Sequence, residues 1–414
     1  MGFKIISVVE SRLGLFKIAA VCEAIQELNH LAQHLPIKHI LVHTGDAYHH
    51  RDCDLYFNDI DLPRPDFFLG ATSGASSLEK TAIISERFSD VLLQERPDVV
   101  MVIGHIDSAL DSALVTKRIG YFGGRRGESF VPALAHLEAG LKSPNPASPL
   151  DVNRVVVDLL ADYLFTSDEH ANRNLLHDGI AREKMHFVGN VNVDMLLRHR
   201  ARAMDSTILN DLQLINGSDV KPFVLFTVQD FSGAEGVVKL MHLQRALSEI
   251  AQQMPLVFPA NPAALQCIHD ANLEDYFVDH CVEGPEPWDA RVRIRLIPPL
   301  GYIDFVRLMA AAQVVLTDSG CLQDESRVLG VPCITLADCN FRPVTLDGKE
   351  KLLGEPNSKR LLDSYYDRIG GAYPKQVPGC DGRAAHRIVE ILLKDFASRD
   401  AWRSQCLYRL NKAI

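Results

Sequence analysis

Three stretches of the 414-residue chain combine residue types that can move a proton or hold an anion. One is His136-Leu137-Glu138-Ala139-Gly140-Leu141-Lys142, with Pro149-Leu150-Asp151-Val152-Asn153-Arg154 a few residues on. Two carboxylates, Glu138 and Asp151, beside a histidine, a lysine and an arginine can share a proton transfer while the cations hold a diphosphate. Read as plain structure, Glu138 and Arg154 form an ion pair. A second stretch, Gly104-His105-Ile106-Asp107, follows an apolar run and offers a histidine that is either a general base or a hydrogen-bonded scaffold residue. The third is the apolar run Val314–Thr317 leading into Asp318-Ser319-Gly320 and a helical pattern. A helix mouth presents unpaired amides to an anion, and glycine lets a phosphate come close. The competing reading is that Asp318 or Ser319 caps its own helix.

These stretches sit in a chain that alternates short apolar runs with helical periodicity. Lys4–Val9, His39–His43, Asp98–Ile103, Tyr163–Phe165 and His186–Val188 read as strands, with amphipathic segments such as Leu15–Leu31 and Ser108–Lys117 between them. Thr166-Ser167-Asp168-Glu169 reads as a capping box. Strands that are apolar throughout and separated by helices imply parallel sheets covered on both faces. After a polar lapse at Met204–Lys221 the rhythm restarts with Phe223–Thr227, Leu256–Phe258, Ile294–Ile297, Val314–Thr317 and Val331–Leu336. The expected fold class is therefore α/β, with two facing Rossmann-like doubly wound domains and a cleft between them where ligands bind. The expected organisation is residues 1–204, a linker 205–221, a second domain 222–381, and C-terminal helices in 382–414 that pack on either domain.

Composition narrows the function. Lys and Arg total 43 against 53 Asp and Glu, a net charge of −10, so no global positive field exists to hold nucleic acid or an anionic membrane surface. The apolar runs are of strand length and too short to span a bilayer. Nine cysteines without a Cys-x-x-Cys pair read as scattered thiols in a reducing compartment, so a cytoplasmic location is expected. No metal-ligand cluster and no Gly-x-Gly-x-x-Gly turn is found, and no cofactor is expected.

Taken in order, the motifs resemble those of the UDP-N-acetylglucosamine 2-epimerase family over nearly the whole chain. The residues that carry the resemblance are Glu10 to Gly14, Gly104-His105, His136 to Lys142, Pro149 to Arg154, Gly189-Asn190 to Asp194, Val228 to Ser232, and Thr317 to Glu325. Pro299 to Phe305, Phe341-Arg342-Pro343 and Gly379 to Gly382 keep the register. The resemblance implies a GT-B-like fold, a UDP-sugar substrate, elimination of UDP followed by re-addition or hydrolysis, and a homodimer. It implies Glu138 and Asp151 as acid/base groups, with His105 where the family has a catalytic Asp. It places Arg12, Lys17, Asn153, Arg154, Ser319, Gly320 and Arg342 around the phosphates or sugar, Glu325 on the ribose hydroxyls, and Tyr302 and Phe305 beside the uracil.

This chain also departs from the family pattern. The Gly-His-Arg-Arg-Glu loop is Val228-Gln229-Asp230-Phe231-Ser232, the second glycine of Ser-Gly-Gly is Cys321, and the first Glu of Pro-Glu-Glu is Leu150. An extra segment, Tyr121 to Ser129, carries Arg125 and Arg126, which either replace the lost cations or lie in a surface loop. A glycosyltransferase of the same architecture and a catalytically silent nucleotide-sugar-binding protein are the alternatives.

Overall fold

The structure, a computed structural model, describes residues 2–10, 12–31, 36–45, 60, 64–71, 76–121, 130–142, 149–228, 233–279, 294–336, 358–369 and 378–398. The chain divides into two compact units, Met1–Met195 with Pro378–Ile414, and Leu196–Val377.

In the first unit the order is β1 (Phe3–Val9), α1 (Arg12–Leu31), β2 (Ile37–His43), β3 (Phe67–Phe68), α2 (Ser77–Glu95), β4 (Val99–Ile103), α3 (Asp107–Arg118), β5 (Ala133–Leu137), α4 (Pro149–Leu160), β6 (Tyr163–Thr166), α5 (Glu169–His177), β7 (Met185–Phe187) and the start of α6 (Val191–Met204). Its seven strands pair in parallel in the order β3-β2-β1-β4-β5-β6-β7. Every residue of β4 and β5 is buried, because helices cover both faces of the sheet. Ile6, Val8, Val42, Val100, Val102, Leu134 and Leu164 meet Phe88 and Leu92 of α2 and Val157 of α4 in one core. Strand order reverses between β1 and β4, so the turns after them, carrying Glu10 and Gly104-His105, flank a switch point.

The second unit continues with α7 (Ile208–Asp211), the hairpin β8 (Ile215–Asn216) and β9 (Asp219–Val220), β10 (Val224–Thr227), α8 (Gly233–Gln253), β11 (Leu256–Pro259), α9 (Pro262–Asp270), β12 (Phe277–Asp279), β13 (Ile294–Ile297), α10 (Tyr302–Ala311), β14 (Val314–Thr317), α11 (Gly320–Leu329), β15 (Cys333–Thr335) and α12 (Ser358–Arg368). Its parallel sheet runs β12-β13-β11-β10-β14-β15. Phe226, Phe258, Val314, Leu316, Leu247 and Tyr365 fill its core, with the Phe226 and Phe258 rings 4.6 Å apart. Here the reversal falls between β10 and β14, and β14 feeds Ser319.

The chain then returns to the first unit through α13 (Ala384–Ser398). Phe396 packs tilted against Phe3 with ring centroids 4.1 Å apart, and Asp194 caps α13 by accepting from the Ala385 amide at 2.7 Å. Ile388, Val389 and Leu392 are almost wholly covered, which stabilises the docking by about 1.5–3 kcal/mol per side chain. Gly189 and Gly379 lie back to back, and a Cβ on Gly189 would meet the Gly379 carbonyl oxygen at 2.0 Å.

The α/β class and the two Rossmann-like units are as expected. Three details sharpen or correct the expectation. The contact boundary falls at Met195/Leu196, inside α6, and 205–221 folds as α7 and the β8–β9 hairpin of the second unit. The C-terminal helix packs on the first unit. Helix α5 is capped by Asp168, whose side chain accepts from Ala171 N, whereas Thr166 belongs to β6 and spends its hydroxyl on Asn172 and the His186 carbonyl. The second expected C-terminal helix, Trp402–Leu410, lies outside the described residues. Among those described, no helix is long and apolar enough to cross a membrane.

Candidate active site

In the first unit the carboxyl ends of β4 and β5 and the first turns of α1 and α4 bring four charged side chains and a histidine together. Glu138 follows β5 directly and is 8% exposed. Lys17, one turn into α1, reaches it with Nζ 2.6 Å from Oε2. Glu138 adopts φ +61°, a left-handed conformation that costs a non-glycine residue about 1–2 kcal/mol. Its own backbone explains the glycine across from it: Gly104 has φ +70°, whereas a Cβ there would stand at an ordinary contact distance of 3.8 Å from Glu138 Oε2.

Helix α4 presents Asp151, Arg154 and Asp158 at spacings of three and four residues, which puts all three on one buried face. Arg154 lies 3.6 Å from Asp151 and donates to His105 Nδ1 at 2.6 Å. A guanidinium only donates, so His105 Nδ1 accepts and the ring proton resides on Nε2. Burial first, then the Arg154 charge, pushes the His105 pKa down to about 4, against the opposing pull of Glu138 and Asp151. The ring is therefore neutral at pH 7 and offers an N–H, with the lone pair a general base needs already engaged. Asn153 spends its amide on the His105 carbonyl at 3.3 Å and Asp107 at 2.7 Å, tying α4 to the turn after β4. Two ion pairs thus stand in this cluster, Lys17 with Glu138 and Arg154 with Asp151.

Sequence reasoning passed over a further pair beneath these residues. His136 Nδ1 lies 2.7 Å from Asp158 Oδ1, and both residues are buried. The signal available was the polar repeat Asp151, Arg154, Asp158 on a largely apolar helix.

In the second unit Ser319 is the N-cap of α11, buried at 4% exposure, yet its side chain makes no cap hydrogen bond. The Ser319 amide donates to Thr317 Oγ1 at 3.1 Å, which orients the turn. A Cβ at Gly320 would meet no atom within 4 Å, so space lies open in front of the first helical amides. Self-capping by Ser319 is therefore not what the serine does here. Glu325 is buried on the same helix and, after burial itself, adds to the forces holding the Tyr302 phenol well above its ordinary range. Tyr302 is buried and packs edge-on against His199 at 6.2 Å, while Phe305 is only half covered. The side chain of Arg12, at the start of α1, and Arg342, Arg125, Arg126 and Gln229 lie outside the described residues.

Comparison with known proteins matches this arrangement to one family. The sequence profile of UDP-N-acetylglucosamine 2-epimerase matches residues 29–393. The UDP-N-acetylglucosamine 2-epimerase of Methanocaldococcus jannaschii is 28% identical over 399 residues, covering 94% of this chain and 98% of that protein. Its crystal structure in complex with UDP-GlcNAc and UDP superposes with a TM-score of 0.77, covering 94% of this chain and 99% of that one. The UDP-2,3-diacetamido-2,3-dideoxy-D-glucuronate 2-epimerase of Pseudomonas aeruginosa is 28% identical over 397 residues, covering 94% of this chain and 99% of that protein. With the profile spanning most of its length, two Rossmann-like sheets and a charged cluster at a strand-order reversal, the chain belongs to the UDP-N-acetylglucosamine 2-epimerase family.

Proposed function

We propose that the protein is a UDP-sugar 2-epimerase acting on UDP-N-acetylglucosamine or a related 2-acetamido sugar nucleotide. The observation that carries the reading is the Glu138 carboxylate, buried, ion-paired to Lys17 and aimed from a strained backbone at the end of β5. The hydrogen on the sugar carbon bearing the acetamido group is weakly acidic, so its removal needs a fixed carboxylate with little freedom to turn away. That carboxylate takes the proton. The electrons left behind form the double bond to the anomeric carbon, and the anomeric C–O bond breaks with its pair leaving on UDP. Returning a proton to the opposite face, with UDP re-adding at the anomeric carbon, inverts the centre; water adding there instead releases the free epimerised sugar.

Glu138 and Asp151 are the two carboxylates for these proton transfers. His105, neutral and bonded to Arg154, holds that guanidinium and donates from Nε2, in place of acting as a base. Lys17 and Arg154 carry positive charge for the departing diphosphate. In the second unit, Ser319, Gly320 and the helix mouth of α11 suit a diphosphate, Glu325 suits ribose hydroxyls and Phe305 suits a uracil ring. The reading further includes a homodimer in the cytoplasm. Leu114 of α3 and Val152 and Leu159 of α4 are exposed on adjoining helices and suit such an interface.

Incubating UDP-N-acetylglucosamine with the protein in heavy water tests the chemistry. Deuterium at the epimerised carbon is expected. Release of UDP only when an acceptor sugar is supplied points instead to a glycosyltransferase, and tight UDP-sugar binding without exchange to a silent binding protein.

A further inference from the structure

Three residues in the two turns that carry His105 and Glu138 are left-handed: Gly104 at φ +70°, Glu138 at +61° and Gly140 at +74°. Two are glycines. Gly140 has no alternative, because a Cβ there would meet the Ala171 carbonyl oxygen at 2.4 Å. Glu138 has a side chain and needs something to hold it in place.

The wholly buried pair His136 and Asp158 spans these turns from below. His136 Nε2 lies 2.8 Å from the Gly104 carbonyl oxygen, and Nδ1 lies 2.7 Å from Asp158 Oδ1. The other carboxylate oxygen, Oδ2, accepts from the Gly140 amide at 3.1 Å. A carbonyl oxygen can only accept, so Nε2 carries a hydrogen, and a second hydrogen must lie between Nδ1 and Oδ1. Both ring nitrogens and both carboxylate oxygens are thereby engaged. This one unit joins the turn after β4, the turn after β5 and the α4 helix that bears Asp151 and Arg154.

We propose that His136 and Asp158 are positioning residues that hold Glu138 in its left-handed conformation and so keep its carboxylate against Lys17. The catalytic side of the proposal rests on Glu138 being a proton-transfer group, as argued above. The pair itself touches no substrate atom.

Three variants test it by crystallography and steady-state kinetics with UDP-N-acetylglucosamine. Asp158→Asn keeps the geometry, because its amide NH can donate to a neutral His136 Nδ1 while its oxygen still accepts from Gly140; kcat is expected within threefold of the unaltered protein. His136→Phe and Asp158→Ala break the span. For both, kcat is expected to fall about 100-fold with KM within twofold, since an ångström of misplacement costs rate and leaves diphosphate binding intact. Their crystal structures are expected to show Glu138 out of the left-handed region and separated from Lys17 by more than 4 Å. If His136→Phe does not fold, His136→Gln, which can serve only one of the two acceptors, is read by the same measures. The proposal is overturned if the broken variants retain φ near +61° and the 2.6 Å ion pair, or if Asp158→Asn loses as much kcat as Asp158→Ala. Should the unaltered protein turn over no UDP-sugar, the proposed activity fails, and the crystal structures alone still decide the positioning role.

Discussion

The Glu138 cluster of the first unit and the Ser319 turn of the second are built on opposite plans. Around Glu138 the first unit pairs its charged and polar side chains with one another: Lys17 with Glu138, Arg154 with His105 and Asp151, Asn153 with Asp107, His136 with Asp158. At Ser319 the second unit withholds a side chain from its own helix and leaves space beyond Gly320. A group that must pull a proton from carbon gains from being immobile, whereas a seat for a diphosphate gains from unspent donors. A contrast within the first unit makes the point sharper. Ser76 opens α2 in a full capping box with Glu79, so that serine serves only its helix.

The largest effect that can break this comparison is chemical. Glu138→Gln is expected to lower deuterium exchange into the sugar by about 10²–10⁴-fold while UDP affinity measured by calorimetry stays within twofold. Exchange at the normal rate would move the base elsewhere.

Next in size is a pH effect at Asp194, the cap of α13. Burial raises its pKa from 3.8 to about 6. A carboxyl raised on folding contributes stability that is fully present below about pH 4 and is lost as the pH rises through 6. Asp194→Asn, which lacks that titration, is expected to gain on the unaltered protein by on the order of 3 kcal/mol between pH 4 and pH 7. Urea midpoints at several pH values measure it, and a constant difference would contradict the assigned burial cost.

At the helix mouth, Gly320→Ala is expected to leave the thermal midpoint in place, since the added methyl meets no protein atom, yet to weaken UDP binding about tenfold, roughly 1.4 kcal/mol. Unchanged affinity would remove the diphosphate from α11.

The smallest effect pairs the two serines. Ser76→Ala is expected to cost about 1 kcal/mol of stability and nothing in UDP affinity, while Ser319→Ala shows the reverse, with full stability and weaker binding. Equal stability losses in a denaturant titration would make Ser319 an ordinary cap after all.

Much of this arrangement was legible in the sequence, for reasons that also mark where legibility stops. Fully apolar runs such as Val99–Ile103 and Val314–Thr317 announce strands buried on both faces, and both proved to be so. Residue types that can do chemistry also advertise themselves. Their partners do not: that Glu138 meets Lys17 depends on a left-handed backbone and on the rotation of α1, neither of which leaves a local trace. The boundary between the units was hidden for a related reason, since helical periodicity runs unbroken through Met195 and Leu196. The Asp, Asn, Gly and Ser residues that suggested a linker form a short helix and a hairpin instead, because turn-forming residues mark tight reversals as readily as they mark open chain.

The late docking of α13 bears on the order in which the polypeptide matures at the ribosome. The second unit is one unbroken length of chain, while the first cannot cover Phe3 and α1 until residues near 396 have been synthesised. The usual amino-to-carboxyl order of domain completion is thereby inverted: the later-made unit can finish first, and Glu138 gains its finished surroundings only once α13 has been made.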